Sequence, residues 1–217
     1  MDAAGDHRAM SDTGPQTDFR EHPDPGYPAR TEWNAANSDV TIDFAEPRGG
    51  RFVGSGGIQG LTRIMAEKHH KPYAGVPITP GRLDAAAAAA AILPLLPTAP
   101  AGLRVNIAGH GISGMHGVPQ AAINAYVAGV LRIVAAGLAL RGQRIGMVMS
   151  GGQTGFDEAG IVAARSLGIP TMVMAPRGWR FRGADGRDIS GDRAAFVRRF
   201  ATHATHDGGL PTGGVRR

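Results

Sequence analysis

The sequence contains no cysteine. Disulfides and thiolate metal sites are excluded, and the composition fits a reducing compartment. Aromatic residues make up only 6% of the chain. A core must therefore be built mainly from Ala, Val, Ile, Leu and Met. No apolar run approaches the roughly 18 residues that a bilayer requires. The most apolar stretch, residues 85–96, is too short and is interrupted by Pro94. The N-terminus is acidic and polar, unlike a signal peptide. These absences lead to the expectation of a cytoplasmic protein with no membrane partner.

What remains is room for one α/β domain with tails: 217 residues, 42% of them hydrophobic, with 33 glycines and 15 prolines. The net charge is +5, and much of the excess lies in arginines near the C-terminus. Residues 1–26 are rich in Asp, Gly and Pro and nearly free of apolar side chains, which predicts a disordered tail. Residues 27–200 form the expected domain, and residues 201–217 a second disordered tail.

Within the domain, short apolar runs alternate with helical spacing. Strands are expected at residues 38–45, 73–78, 103–108, 145–149 and 171–175. Helices are expected at residues 27–37, 61–70, 83–93 and 118–140, and after Gly155. Such alternation predicts a parallel sheet of five strands, doubly wound, with helices on both faces. Residues 46–60 read as a long glycine-rich loop.

The chain is organised around IGMVMSGGQTGFD, residues 145–157. An apolar strand runs into Ser150-Gly151-Gly152-Gln153-Thr154-Gly155, and helical spacing resumes at Phe156. Glycines permit positive φ and close approach of a ligand. The first N–H groups of a helix lack partners and, with its dipole, attract anions. A phosphate-bearing ligand fits such a turn, although a tight turn that binds nothing fits too. Two further glycine-bearing loops follow strands, at residues 54–60 and 109–117. In a doubly wound sheet these loops meet at the carboxyl edge, where ligands bind. Candidate ligand contacts there include Gly56, Gly57, Gly60, Gly109, His110 and Gly111. His110 and His116 have no third partner that would complete a metal site, so no metal is expected. Arg177, Arg180, Arg182 and Arg187, beside Trp179, either meet a phosphate or base or form a solvated basic loop.

The stretch SGGQTGFDEAGIVAARSLGIP resembles the signature of the SLOG superfamily, a Rossmann-like group of nucleotide-ligand proteins. The likeness is to its YpsA-like branch, whose members are labelled molybdenum carriers. Asp157 matches the branch pattern, while Glu158 replaces its usual Arg. The resemblance implies a nucleotide-like ligand of unnamed identity and leaves a homo-oligomer open. It places Ser38, Asp39 and Thr62 at family positions that contact ligand; a helix cap is the plain alternative for each. The molybdenum label has no counterpart in the residues present.

The family segments occur in rotated order. RTEWNAANSDVTIDF and GGIQGLTRIMAEKHHKP come first, LRVNIAGHGIS next, SGGQTGFD after both. This is the pattern of a circular permutation, with the RGWRFRGADGRDISGD segment ending near Phe200 and its continuation beginning near Asp18. If the family sheet is kept, residues 103–108 lie at the centre, between 145–149 and 38–45. Residues 171–175 and 73–78 then lie outermost. Some relatives hydrolyse the N-glycosidic bond of nucleotides, for which Asp157, Glu158 and Glu67 are the carboxylates to consider. Their motif carries a Glu where this chain has Arg63 or Ile64. Single-stranded nucleic acid is a third alternative, opposed by the acidic N-terminal segment.

Overall fold

The computed structural model describes residues 17–48, 51–53, 60–79 and 81–201. In chain order these form β1 (Thr17–Glu21), α1 (Tyr27–Ala36), β2 (Val40–Arg48), β3 (Arg51–Val53) and α2 (Leu61–Lys68). They continue with β4 (Tyr73–Pro77), α3 (Ala85–Ile92), β5 (Leu103–Gly109), α4 (Gln120–Ala139) and β6 (Ile145–Ser150). The last elements are α5 (Phe156–Ser166), β7 (Thr171–Ala175), β8 (Phe181–Arg182), β9 (Asp188–Ile189) and α6 (Arg193–Ala201).

Six strands form a parallel sheet in the order β1-β7-β6-β5-β2-β4. The fold is α/β and Rossmann-like in general kind. β2 pairs on one side with β5, Asp43 opposite Ala108, and on the other with β4, Asp43 opposite Gly75. Succession along the chain would have put β4 beside β5, and that pairing is not made among the described residues.

The expectation of five strands falls short at two places. First, the expected tail through Gly26 already contains β1, which pairs with β7 from Thr17–Thr171 to Glu21–Ala175. TDFRE hides its strand character because an edge strand keeps polar side chains outward. Its one large apolar side chain, Phe19, meets Phe200 at 5.3 Å between ring centroids. The two ends of the described chain therefore pack together. Second, the expected loop over residues 46–60 contains a hairpin, in which β3 returns antiparallel along the end of β2.

Strand alternation sorts the two faces of the sheet. From β2, Phe44 stacks on Phe156 of α5 at 4.9 Å and meets Tyr126 of α4 edge-on at 5.7 Å. That face carries α3, α4 and α5, which pack against one another. α4 is long and apolar enough to cross a membrane by length and composition. Ile123, Val127, Val130, Leu131 and Val134 are instead fully buried against the sheet side of the fold. The opposite face of β2 presents Thr41 and Asp43 on the side where α2 packs on β2 and α1 packs on α2. A second aromatic group joins Phe19, Trp179, Phe181, Phe196 and Phe200. Few as they are, the aromatics thus concentrate in two places in the core.

Candidate functional site

A cleft open to solvent lies at the carboxyl edge of β2, β5 and β6, under α1 and the start of α2. The three glycine-bearing loops each contribute to it: Gly60 from the first, Gly109 and Gly111 from the second, Gln153 from the third. Thr62 and Asp157 also line it. Gly56 and Gly57 lie outside the described residues.

The floor of the cleft is polar because two central strands place polar residues on the same face. Asn106 Nδ2 donates to Thr41 Oγ1 at 3.2 Å. Beside them Asp43 is 2% exposed, and Tyr73 donates its hydroxyl to Asp43 Oδ2 at 2.8 Å. Burial pushes the Asp43 carboxyl up to about 6; the Tyr73 hydrogen bond opposes this and the charge of Asp157 adds to it.

Asp157, on the first turn of α5, is held by Arg30 of α1 through a 2.9 Å ion pair. The two side chains are 9% and 6% exposed. Burial pushes the Asp157 carboxyl up, while Arg30 and the amides of Gln153 and Gly151 oppose the rise. At the mouth, Tyr27 and Arg182 both bond to Asp188 Oδ1 at 2.9 Å, and the Arg182 guanidinium lies 5.4 Å from the Tyr27 ring centroid.

The SGGQTG turn serves packing more than ligand approach. A Cβ on Gly151 would collide with the Arg30 guanidinium. A Cβ on Gly152, where φ is 70°, would meet Phe196 and Val173 at 2.7 Å, so that glycine faces the core and not the cleft. Gly152→Val, which from sequence alone would be chosen to block a phosphate in a folded protein, is instead expected to strain the fold. The helix start is also already bonded. Gly155 N–H donates to Gln120 Oε1 at 2.7 Å and Phe156 N–H to His110 O at 3.1 Å. Two of the N–H groups expected to meet a phosphate at α5 are thus already used within the protein.

The remaining expected residues divide clearly. Gln153 receives Arg182 N–H at 2.8 Å, and Thr154 donates to Arg182 O at 2.6 Å, so both fasten the segment that carries β8. Ser150 is fully buried and is not among the residues lining the cleft. Ser38 and Asp39 stand at the amino end of β2, across the sheet from the cleft. Ser38 Oγ donates to Ala35 O at 3.1 Å, and Asp39 accepts from Arg104 N–H at 2.8 Å, so both tie backbone together. His110 joins strands through its backbone, its N–H donating to Phe44 O. Arg177 is exposed and its N–H donates to Asp24 O, while Arg182 is the arginine of that segment that reaches the cleft. Of the candidate acids, Glu158 is paired with Arg199 at 2.6 Å and Glu67 with Arg63 at 2.7 Å on the surface. Neither lines the cleft.

Sequence reasoning missed Tyr27, Arg30, Asn34, Asp43 and Asn106. A signal was available: Thr41, Asp43 and Asn106 interrupt otherwise apolar central strands at alternate positions, which in a buried strand marks a face turned to something polar.

The raised Asp43 carboxyl gives a prediction. Between the unfolded value near 4 and about 6, the folded state binds more protons than the unfolded one. Stability therefore falls as pH rises through that window and levels off above it. Asp43→Asn keeps an acceptor for Tyr73 but does not titrate. The unfolding free energy of the variant minus that of the wild type is expected to rise by about 2–3 kcal/mol between pH 4 and pH 7. Urea denaturation of both proteins across that range measures it; a constant difference would mean that Asp43 titrates normally.

Fold and cleft together define an α/β protein with a mainly parallel six-stranded sheet and a polar cleft at the carboxyl edge. No family model, curated protein or solved structure matches the chain.

Proposed function

We propose that the cleft binds a nucleotide or nucleotide-derived, phosphate-bearing small molecule. The observation that carries this is a set of buried polar atoms without protein partners around one cleft: Arg30 Nε, Asn34 Oδ1 and Asp43 Oδ1. Buried polar groups are normally bonded, and orphans gathered at a cavity point to a ligand or water. The first turn of α2 supplies the phosphate end. Gly60 caps it in the left-handed conformation with no side-chain cap, and the Leu61 and Thr62 N–H groups have no intrahelical acceptor. The SLOG-like residues support the same ligand class. The packing of Phe19 on Phe200 supports a permuted chain, in which the segment ending near Phe200 continues at β1.

Hydrolysis of an N-glycosidic bond draws no support from the carboxylates first considered for it. Glu158 and Glu67 are paired away from the cleft, and Asp157 is held by Arg30.

A thermal-shift screen with nucleoside 5′-phosphates, NAD, ADP-ribose and molybdate tests the reading. A ligand at about 100 times its Kd adds about 2.7 kcal/mol, which at this size raises Tm by roughly 5–10 °C. The rise is expected for a phosphate-bearing nucleotide and not for the matching nucleoside. No shift with any nucleotide would refute the reading.

A further inference from the structure

We propose that two copies of this chain pair through the free edge of β1, antiparallel about a two-fold axis at Phe19, and so join their sheets into one. This goes beyond the reading of the cleft and does not rest on it. β1 is the outermost strand, and among the described residues no strand pairs with its outer edge. The backbone N–H and C=O groups of successive strand residues point to opposite sides. His22 N–H donates to Ala175 O at 2.8 Å, so the groups of Asp18 and Arg20 face β7 and those of Thr17, Phe19 and Glu21 face outward. Such a row is a template for another strand. Edges that resist pairing are often interrupted by proline or a bulge. β1 has neither, and its register with β7 runs unbroken from Thr17 to Glu21.

The side chains select the partner. A two-fold axis at Phe19 sets Phe19 opposite its own copy and Thr17 opposite Glu21 of the second copy. All three outward-facing residues then meet outward-facing residues, as an antiparallel ladder requires. The same register sets Asp18 opposite Arg20 of the second copy, and Arg20 opposite its Asp18. These are the positions between hydrogen-bonded pairs, where opposed side chains stand closer. Asp18 and Arg20 are already paired within the strand at 2.7 Å, with side chains 46% and 56% exposed. Two such pairs form a square of alternating charge. On the other face Phe19, half-buried against Phe196 and Phe200, meets its copy. The strand is thus complementary to itself, as a two-fold contact needs. A strand of 5 residues buries little surface, so the dimer is weak and sensitive to salt.

Analytical ultracentrifugation of the full chain tests this. The wild type is expected to be a reversible dimer whose dissociation constant rises with salt. Asp18→Arg sets arginine against arginine in both cross-strand pairs, and Arg20→Asp sets aspartate against aspartate. Each variant alone is expected to have a dissociation constant at least about ten-fold higher than the wild type. Mixed in equal amounts, the two variants carry opposite charges at every facing position. The dimer should then return with one copy of each, which native mass spectrometry reads from its mass. Both side chains are exposed, so the fold is expected to tolerate the changes. A wild type that is monomeric at about 1 mM would overturn the proposal. So would single variants that dimerise like the wild type, or a mixture that stays monomeric. If a variant failed to fold, hydrogen exchange of the wild type would still decide. The outward Phe19 amide should exchange more slowly in concentrated than in dilute solution, and equal rates would overturn the proposal.

Discussion

Arg30→Met is expected to lower the unfolding free energy by about 3–5 kcal/mol, because it leaves the Asp157 carboxylate buried without a countercharge. The pair is 2.9 Å apart and nearly inaccessible on both sides. Gly151 has no side chain, and a Cβ at that position would fall on the guanidinium. Methionine keeps much of the apolar stem, so the loss reports the charge. Asp157→Asn in the same chain neutralises the stranded group, and the double variant should recover about half of the loss. Denaturant unfolding of the wild type, both single variants and the double variant measures the coupling. A cost below about 1 kcal/mol for Arg30→Met would show that Asp157 finds water or a proton without difficulty.

Gly155→Ala is expected to cost about 3–5 kcal/mol, for two independent reasons. The residue has φ 88° and ψ −131°, a region in which a Cβ is strongly disfavoured. A Cβ there would also meet the His110 carbonyl, the Gly111 carbonyl carbon and the Ile112 amide. These are backbone atoms and cannot rotate away. The displaced loop carries Gly109 and Gly111, so binding should be lost with stability. Gly168→Ala is the control: φ is 72°, but nothing lies within 4 Å of the added Cβ. It should cost only about 1–2 kcal/mol. Thermal or urea unfolding of both variants separates conformational strain from collision. Equal losses would remove the backbone collision as a cause.

The two variants mark how far the glycine-rich turn could be understood from residues alone. Its strand–turn–helix form is legible, since period-2 and period-3.6 spacing are local properties of the chain. What its glycines accommodate is not. Arg30 is 127 positions away from Asp157, and Phe196, which fills the space beside Gly152, belongs to a segment with no clear spacing signal. From sequence, a glycine made room for a phosphate; in the structure, Gly151 makes room for a guanidinium and Gly152 for a phenyl ring.

β1 was illegible for a related reason. TDFRE carries a single large apolar side chain, and its extended form is set by pairing with β7. The expected order of the other five strands agrees with the sheet, in which they run β7-β6-β5-β2-β4. Neither β-propensity nor helix spacing carries that order.

The amino-acid sequence by itself determined the α/β class, the place of five of the six parallel strands and of the helices α1 to α5, and which loops follow those strands. Those depend on side-chain periodicity and on glycine and proline, which act over a few residues. Only the tertiary structure decided that the α5 helix start is occupied by Gln120 and His110, that Asp43 and Asn34 are buried at a cleft, and that Asp157 is paired. Hydrogen-bond satisfaction and desolvation depend on which distant groups arrive, and that is set when the helices close over the sheet.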